Sequence, residues 1–142
     1  MDKKIIITIP HYNNPVGLIN TISSINDPIK IDIVITDDGS EIKLDEQQVR
    51  SKYNNKGNIH FIYLDKNYGV GIAANKCLEY VKNKSYKYVA GLDAGDISYK
   101  NKFSKQIEFL EKNNQIMLVG TWARVLDLSL IHISEPTRRY RI

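Results

Sequence analysis

The stretch Tyr88-Val89-Ala90-Gly91-Leu92-Asp93-Ala94-Gly95-Asp96 decides how the rest of the chain is read. It begins as an apolar run and ends in two carboxylates, with Gly95 between them. A short apolar run flanked by helical patterns reads as a strand buried in a parallel sheet. Open α/β sheets bind ligands beyond the carboxyl ends of their strands, which is where Asp93 and Asp96 fall. Two acids on one tight turn repel each other unless positive charge lies near them. A divalent cation carrying a phosphate fits, because hard oxygen donors suit Mg²⁺ or Mn²⁺. Alone, an Asp-x-x-Asp spacing is more often a solvated acidic turn. The decision rests on where the other polar clusters fall.

Outward from this strand, apolar runs alternate with amphipathic stretches. Residues 4–9 are isoleucine-rich and read as a buried strand that Pro10 stops. In the loop Pro10-His11-Tyr12-Asn13-Asn14-Pro15, Asn14 suits a helix N-cap and Pro15 the first helical position. Leu18, Ile22 and Ile25 then share one face, and Asp27-Pro28 ends that helix. Residues 31–36 form a second strand, closing in Asp37-Asp38-Gly39-Ser40. A polar helix over residues 44–53 is broken by Asn54-Asn55-Lys56-Gly57. Residues 59–64 form a third strand. The loop Asp65-Lys66-Asn67-Tyr68-Gly69 leads into a helix reaching about Lys82, with Ala73, Cys77, Tyr80 and Val81 on one face. Residues 86–92 form the fourth strand. Phe103, Ile107 and Leu110 mark another helix, and residues 116–119 a fifth strand running on toward Trp122. This alternation predicts a three-layer α/β/α fold with a mostly parallel sheet.

In a parallel sheet every strand's carboxyl end points the same way. Tyr12 and Asn13 follow the first strand, Asp37 and Asp38 the second, Asn67 the third, Asp93 and Asp96 the fourth. All the conspicuous polar clusters therefore land on one rim. An accidental scatter would have put some on the other, so the agreement favours a site over a solvated turn.

Length and composition bound the rest. At 142 residues the chain is one domain or a piece of one. The formal charge of +4 is modest and the lysines are scattered, so there is no electrostatic footprint for nucleic acid. The single cysteine, Cys77, excludes an internal disulfide framework and reads as a small core residue in a reducing, cytoplasmic setting. No stretch approaches a membrane span.

Gly69-Val70-Gly71-Ile72-Ala73-Ala74 imitates a dinucleotide-binding G-x-G-x-x-A, with Asp93 ending the next strand. That fingerprint should open directly off the first strand of its unit, whereas Lys66-Asn67-Tyr68 intervene here. An NAD(P) reading also leaves Asp37, Asp38 and Asp96 without a task.

Taken together, Ile-Pro-His-Tyr-Asn-Asn, Ile-Val-Ile-Thr-Asp-Asp-Gly-Ser, Asn67-x-Gly-x-x-x-Ala-x-Asn75 and Leu-Asp-Ala-Gly-Asp resemble the family 2 glycosyltransferases. Lys105-Gln106 and Leu118-Val119-Gly120-Thr121 continue the likeness, which covers residues 4 to about 126. The resemblance implies a Rossmann-like GT-A fold, here truncated, that binds nucleoside-diphosphate sugars. The expected strand order has the first strand central, the second and third to one side and the fourth to the other. The resemblance also implies transfer of a sugar, UDP- or dTDP-linked, to a glycan hydroxyl with inversion, as in bacterial cell-wall or capsule polysaccharide synthesis. The expected place is the cytoplasm, the inner face of its membrane included.

By the same resemblance Tyr12 packs on the nucleotide base, and Pro10 lends backbone beside it. Asp38 accepts from the base, Asn67 and Gly69 line the nucleotide pocket, and Asp93 lies near sugar and ribose. Asp96 holds a Mg²⁺ or Mn²⁺ ion at the diphosphate. Asp37 shapes its turn, while His11, His60 and Trp122 are read as structural. Gly95 departs from the usual Asp-x-Asp-Asp, which leaves the cation on Asp96, diphosphate and water. The catalytic base belongs to a part of the family's domain beyond this likeness, so the chain reads as the donor-binding half. A non-catalytic nucleotide-sugar module and, less well, an NAD(P)-binding domain are the alternatives.

Composition breaks after Asp127. Residues 128–142 hold no lysine and three of the five arginines. Residues 128–138, Leu-Ser-Leu-Ile-His-Ile-Ser-Glu-Pro-Thr-Arg, translate codon by codon a transposase adapter used in sequencing libraries. The expected organisation is a nucleotide-sugar-binding part over residues 1–127 and a non-native tail over 128–142.

Overall fold

The computed structural model describes residues 4–127 and 132–134. The chain divides into two compact units, Met1–Ile107 and Glu108–Ile142.

The first unit is built on a four-stranded parallel sheet in the order β3-β2-β1-β4. Its strands are β1 (Ile5–His11), β2 (Asp32–Asp37), β3 (Ile59–Tyr63) and β4 (Tyr88–Gly91). This is the expected order. The central strands β1 and β2 are buried almost throughout, whereas the edge strands β3 and β4 mix covered and exposed positions. Continuous isoleucine-rich runs thus occupy the middle, as burial on both faces requires.

The helices are α1 (Pro15–Ser24), α2 (Glu46–Lys52), α3 (Val70–Lys82) and α4 (Lys102–Lys112). One face of the sheet carries the larger core. There Ile5, Ile7, Ile9, Ile33 and Ile35 meet Leu18 and Ile22 of α1, Val49 of α2, and Phe103 and Ile107 of α4. On the opposite face Ile6 and Val34 meet Cys77 and Val81 of α3. Cys77 is fully covered, as expected of a small core residue. The sequence of α1 holds Gly17 and several β-branched residues, which are weak helix formers. Fully burying an isoleucine or leucine contributes about 1.5–3 kcal/mol, so Leu18 and Ile22 hold this helix more than its own propensity does. Its start is capped as the sequence predicts: the Asn14 side chain accepts from the Gly17 N–H, with Pro15 in the first turn.

Two expectations need correction. Pro10 does not stop β1, which runs on to His11 in register with Asp37. The carbonyls of Thr8 and His11 bond to opposite neighbours, Leu92 N–H and Asp38 N–H respectively. By alternation the Pro10 nitrogen faces β4, whose register with β1 ends at Thr8. The proline therefore removes no ladder bond. The expected fifth strand over residues 116–119 does not form either. Met117 and Leu118 are 94% and 89% exposed. A strand needs a neighbour for its backbone groups. In the second unit that pairing is made instead by β5 (Val125–Asp127), antiparallel to β6 (His132–Ser134). The non-native tail expected from residue 128 lies, apart from β6, outside the described residues. No helix among the described residues is long and apolar enough to cross a membrane.

Candidate functional site

The loops that follow β1, β2, β3 and β4 meet at one rim of the first unit, tied together by side-chain to backbone bonds. Tyr12, Asp38, Asn67, Gly69, Asp93 and Asp96 lie on them, with Pro10 and Asp37 on the strand ends that lead in, and the ties show what each contributes.

At the end of β2, Asp37 and Asp38 are both buried. Asp37 closes its own turn by accepting from the Ser40 N–H at 2.9 Å and the Ser40 hydroxyl at 2.7 Å. Its Oδ2 also lies 2.8 Å from His11 Nδ1. Asp38 reaches across to the loop after β3. Its Oδ1 accepts from the Tyr68 N–H and its Oδ2 from the Gly69 N–H, each at 2.8 Å. A buried carboxylate needs such hydrogen-bond partners in place of water. Asp38 thus anchors the 65–69 loop, a task its sequence position did not reveal. Gly39 explains how the two loops come so close. It has φ +70, and a Cβ there would lie 2.2 Å from the Lys66 carbonyl carbon. Only glycine lets these backbones touch.

The loop after β1 leans on the same turn. The Asn13 N–H donates to Ser40 Oγ at 2.9 Å, and Asn13 Oδ1 accepts from the Glu41 N–H at 3.0 Å. Asn13 itself has φ 47, a conformation asparagine tolerates better than most side chains. Tyr12, between these anchors, is 46% exposed. Pro10 is half-buried beside it on β1. Across the turn, Asn67 is exposed and Gly69 half-buried. The Tyr68 phenol donates to Asp65 at 2.9 Å, and that bond pushes its pKa up. The 37–40 turn therefore carries a loop on each side: one presents Tyr12, the other Asn67 and Gly69.

The loop after β4 is held by α1. Thr21 Oγ1 accepts from the Gly95 N–H at 2.8 Å and lies 3.3 Å from the Asp93 carbonyl. Asn14 Nδ2 donates to the Ala94 carbonyl at 3.3 Å. The Asp96 N–H bonds the Asp93 carbonyl at 3.0 Å, closing a four-residue turn. Asp93 and Asp96 are both exposed, and neither carboxylate has a hydrogen-bond or ion-pair partner among the described residues. No group of three or more His, Cys, Asp or Glu side chains that could hold a metal occurs among the described residues. Two free carboxylates on one turn suit a cation that arrives with phosphate oxygens and water and needs only one or two protein ligands. Gly95, where a further acid was looked for, has φ +109. An aspartate in that backbone conformation would be strained.

Sequence reading passed over His11. It continues the inward row of Ile5, Ile7 and Ile9, and a histidine in such a slot needs partners for both ring nitrogens. The register partner of His11 is Asp37. Parallel pairing of the first two strands, together with that alternation, was the signal that could have found the pair.

The model of the family described as "Glycosyl transferase family 2" matches residues 6–132. An uncharacterized glycosyltransferase of Methanocaldococcus jannaschii is 30% identical over 133 residues, covering 89% of this chain and 44% of that protein. The putative teichuronic acid biosynthesis glycosyltransferase TuaG of Bacillus subtilis is 34% identical over 104 residues, covering 71% of this chain and 39% of that protein. Among solved structures, S. aureus TarS residues 1–349 in complex with UDP-GlcNAc superimposes with a TM-score of 0.61 at 24% identity. That match covers 78% of this chain and 32% of the TarS chain and bears on the fold. The chain spans between 14% and 44% of the length of the curated relatives it matches.

Proposed function

The chain belongs to glycosyl transferase family 2, and from that premise we propose that it is the donor-binding half of an enzyme moving a sugar from a UDP- or dTDP-linked donor to a glycan hydroxyl with inversion. One observation carries this reading. A single rim brings together an exposed aromatic ring, a loop anchored on a buried carboxylate, and two unpartnered carboxylates on a third loop. A base, a ribose and a diphosphate would need those three surfaces. The crystallised complex of TarS with UDP-GlcNAc and the likeness to TuaG, a putative teichuronic acid biosynthesis glycosyltransferase, support a nucleotide-sugar donor and a cell-envelope glycan acceptor.

In this reading Tyr12 stacks on the base, worth about 1–3 kcal/mol by analogy with nucleic-acid bases, and Pro10 flanks it. Asp38 holds the opposite wall, Asn67 and Gly69. Each of its oxygens keeps a lone pair that a uracil or thymine ring N–H would take. Asp93 lies toward ribose and sugar. Asp96 would hold a Mg²⁺ or Mn²⁺ ion, whose chemistry is to stabilise the charge of the departing diphosphate. A general base must come within about 2.6–3.2 Å of the acceptor hydroxyl, and we assign that role to no residue of this chain.

Gly95 favours one second reading, a nucleotide-sugar module without turnover. Calorimetry of the chain with UDP, dTDP and NADH in Mg²⁺ buffer tests the proposal. Binding of UDP or dTDP well above NADH is expected, and preference for NADH would overturn it. Metal-dependent UDP affinity combined with no sugar transfer by the full-length protein would select the module.

A further inference from the structure

Asn14 is the one side chain on this rim that bonds to the loop carrying Asp93 and Asp96 while its own backbone closes the loop that presents Tyr12. Its N–H donates to His11 Nε2 at 3.1 Å. His11 is therefore unprotonated at Nε2, and its proton sits on Nδ1 facing Asp37 at 2.8 Å. The His11 side chain is fully buried and that of Asp37 nearly so. The ring thus bridges β2 to the far end of the Tyr12 loop, turning residues 11–14 into a closed ring of fixed shape. The side chain of Asn14 then works at both its ends. Oδ1 accepts from the Gly17 N–H at 3.0 Å, capping α1, and Nδ2 donates to the Ala94 carbonyl between the two acids. A Cβ on Gly17 would fall 2.3 Å from Asn14 Nδ2, so the residue there leaves room for the amide.

We infer that His11 and Asn14 are positioning residues of the donor site: His11 fixes the loop that presents Tyr12, and Asn14 ties that loop to the acid turn. The inference rests on the nucleotide-sugar reading above. It separates two contributions to affinity. The Tyr12 loop depends on His11 and serves nucleotide binding with or without metal. The acid turn depends on the Asn14 amide and, through Asp96, serves chiefly the metal-dependent part.

The test measures UDP affinity of the full chain in Mg²⁺ and in chelator, with thermal unfolding beside it. Asn14→Ser keeps a good helix cap and the backbone N–H to His11 but removes the donor to Ala94. It is expected to shrink the gain from Mg²⁺ by about five- to tenfold, the effect of one lost hydrogen bond, while affinity in chelator stays within twofold. His11→Phe keeps the ring and removes both nitrogens. It is expected to weaken binding in chelator by a similar factor while the gain from Mg²⁺ persists. Equal losses in both conditions, tracking the drop in melting temperature, would reduce both residues to structural ones and overturn the inference. Wild-type affinity retained by both variants would overturn it too. A wild-type chain that binds no UDP refutes the nucleotide-sugar reading itself, and the positioning roles with it.

Discussion

Gly39→Ala is the substitution whose effect follows most directly from the geometry. The residue has φ +70, and a left-handed conformation costs an alanine roughly 1 kcal/mol. The new methyl would stand 2.2 Å from the Lys66 carbonyl carbon, 2.6 Å from its Cα and 2.7 Å from the Asn67 nitrogen. Carbon atoms rest at about 3.5–4.0 Å, so the 65–69 loop must retreat by about 1 Å. These neighbours are backbone, and the loop is pinned through the Tyr68 and Gly69 N–H groups to a buried carboxylate. Overpacking of this kind costs about 1–3 kcal/mol, and stretching the Asp38 bonds adds to it. The total expected is about 2–4 kcal/mol, a large part of a typical stability of about 5–15 kcal/mol. Urea unfolding measures it directly, and UDP titration of the folded fraction should show weakened binding because Asn67 and Gly69 move together. A stability change under about 0.5 kcal/mol with unaltered UDP affinity would refute both the close approach and the role given to the loop.

Tyr12→Ala should cost about 1–3 kcal/mol of nucleotide affinity and little stability, since nearly half the side chain is exposed; calorimetry beside urea unfolding separates the two. Burial pushes the Cys77 thiol up, with the Thr36 hydroxyl 3.1 Å away pulling the other way. An aromatic disulfide reagent at pH 8 should leave the native chain untouched and modify it promptly once urea unfolds it; fast reaction of the folded protein would contradict this core. The adapter reading of residues 128–138 predicts that the source locus, amplified without such adapters, departs from this sequence just after Asp127. Recovery of the same codons inside a longer open frame would sink it.

What the sequence made legible was whatever depended on neighbours along the chain. Asn14-Pro15 set the start of α1, and the isoleucine runs marked the two central strands. The alternation of strands and helices brought the polar clusters to one rim. What it hid depended on partners about 30 residues away. The anchoring of the 65–69 loop by Asp38 was hidden, because its two amide donors come from a loop after another strand. His11 looked incidental until parallel register set it beside Asp37. Pro10 read as a strand terminator because its strand's neighbour on the side its nitrogen faces, and how early that neighbour ends, are tertiary facts. The run Ile116-Met117-Leu118-Val119 had strand composition without a strand to pair with.

The central claim is that the exposed acid turn after β4 turns a nucleotide pocket into a metal-assisted diphosphate site. Titrating UDP into the chain with Mn²⁺ and again with chelator, for wild type and Asp96→Ala, tests it most directly. The expected result is affinity at least tenfold higher with Mn²⁺ in wild type, a gain of about 1.4 kcal/mol or more, and no such gain in Asp96→Ala. Equal affinity with and without metal in wild type would contradict the claim.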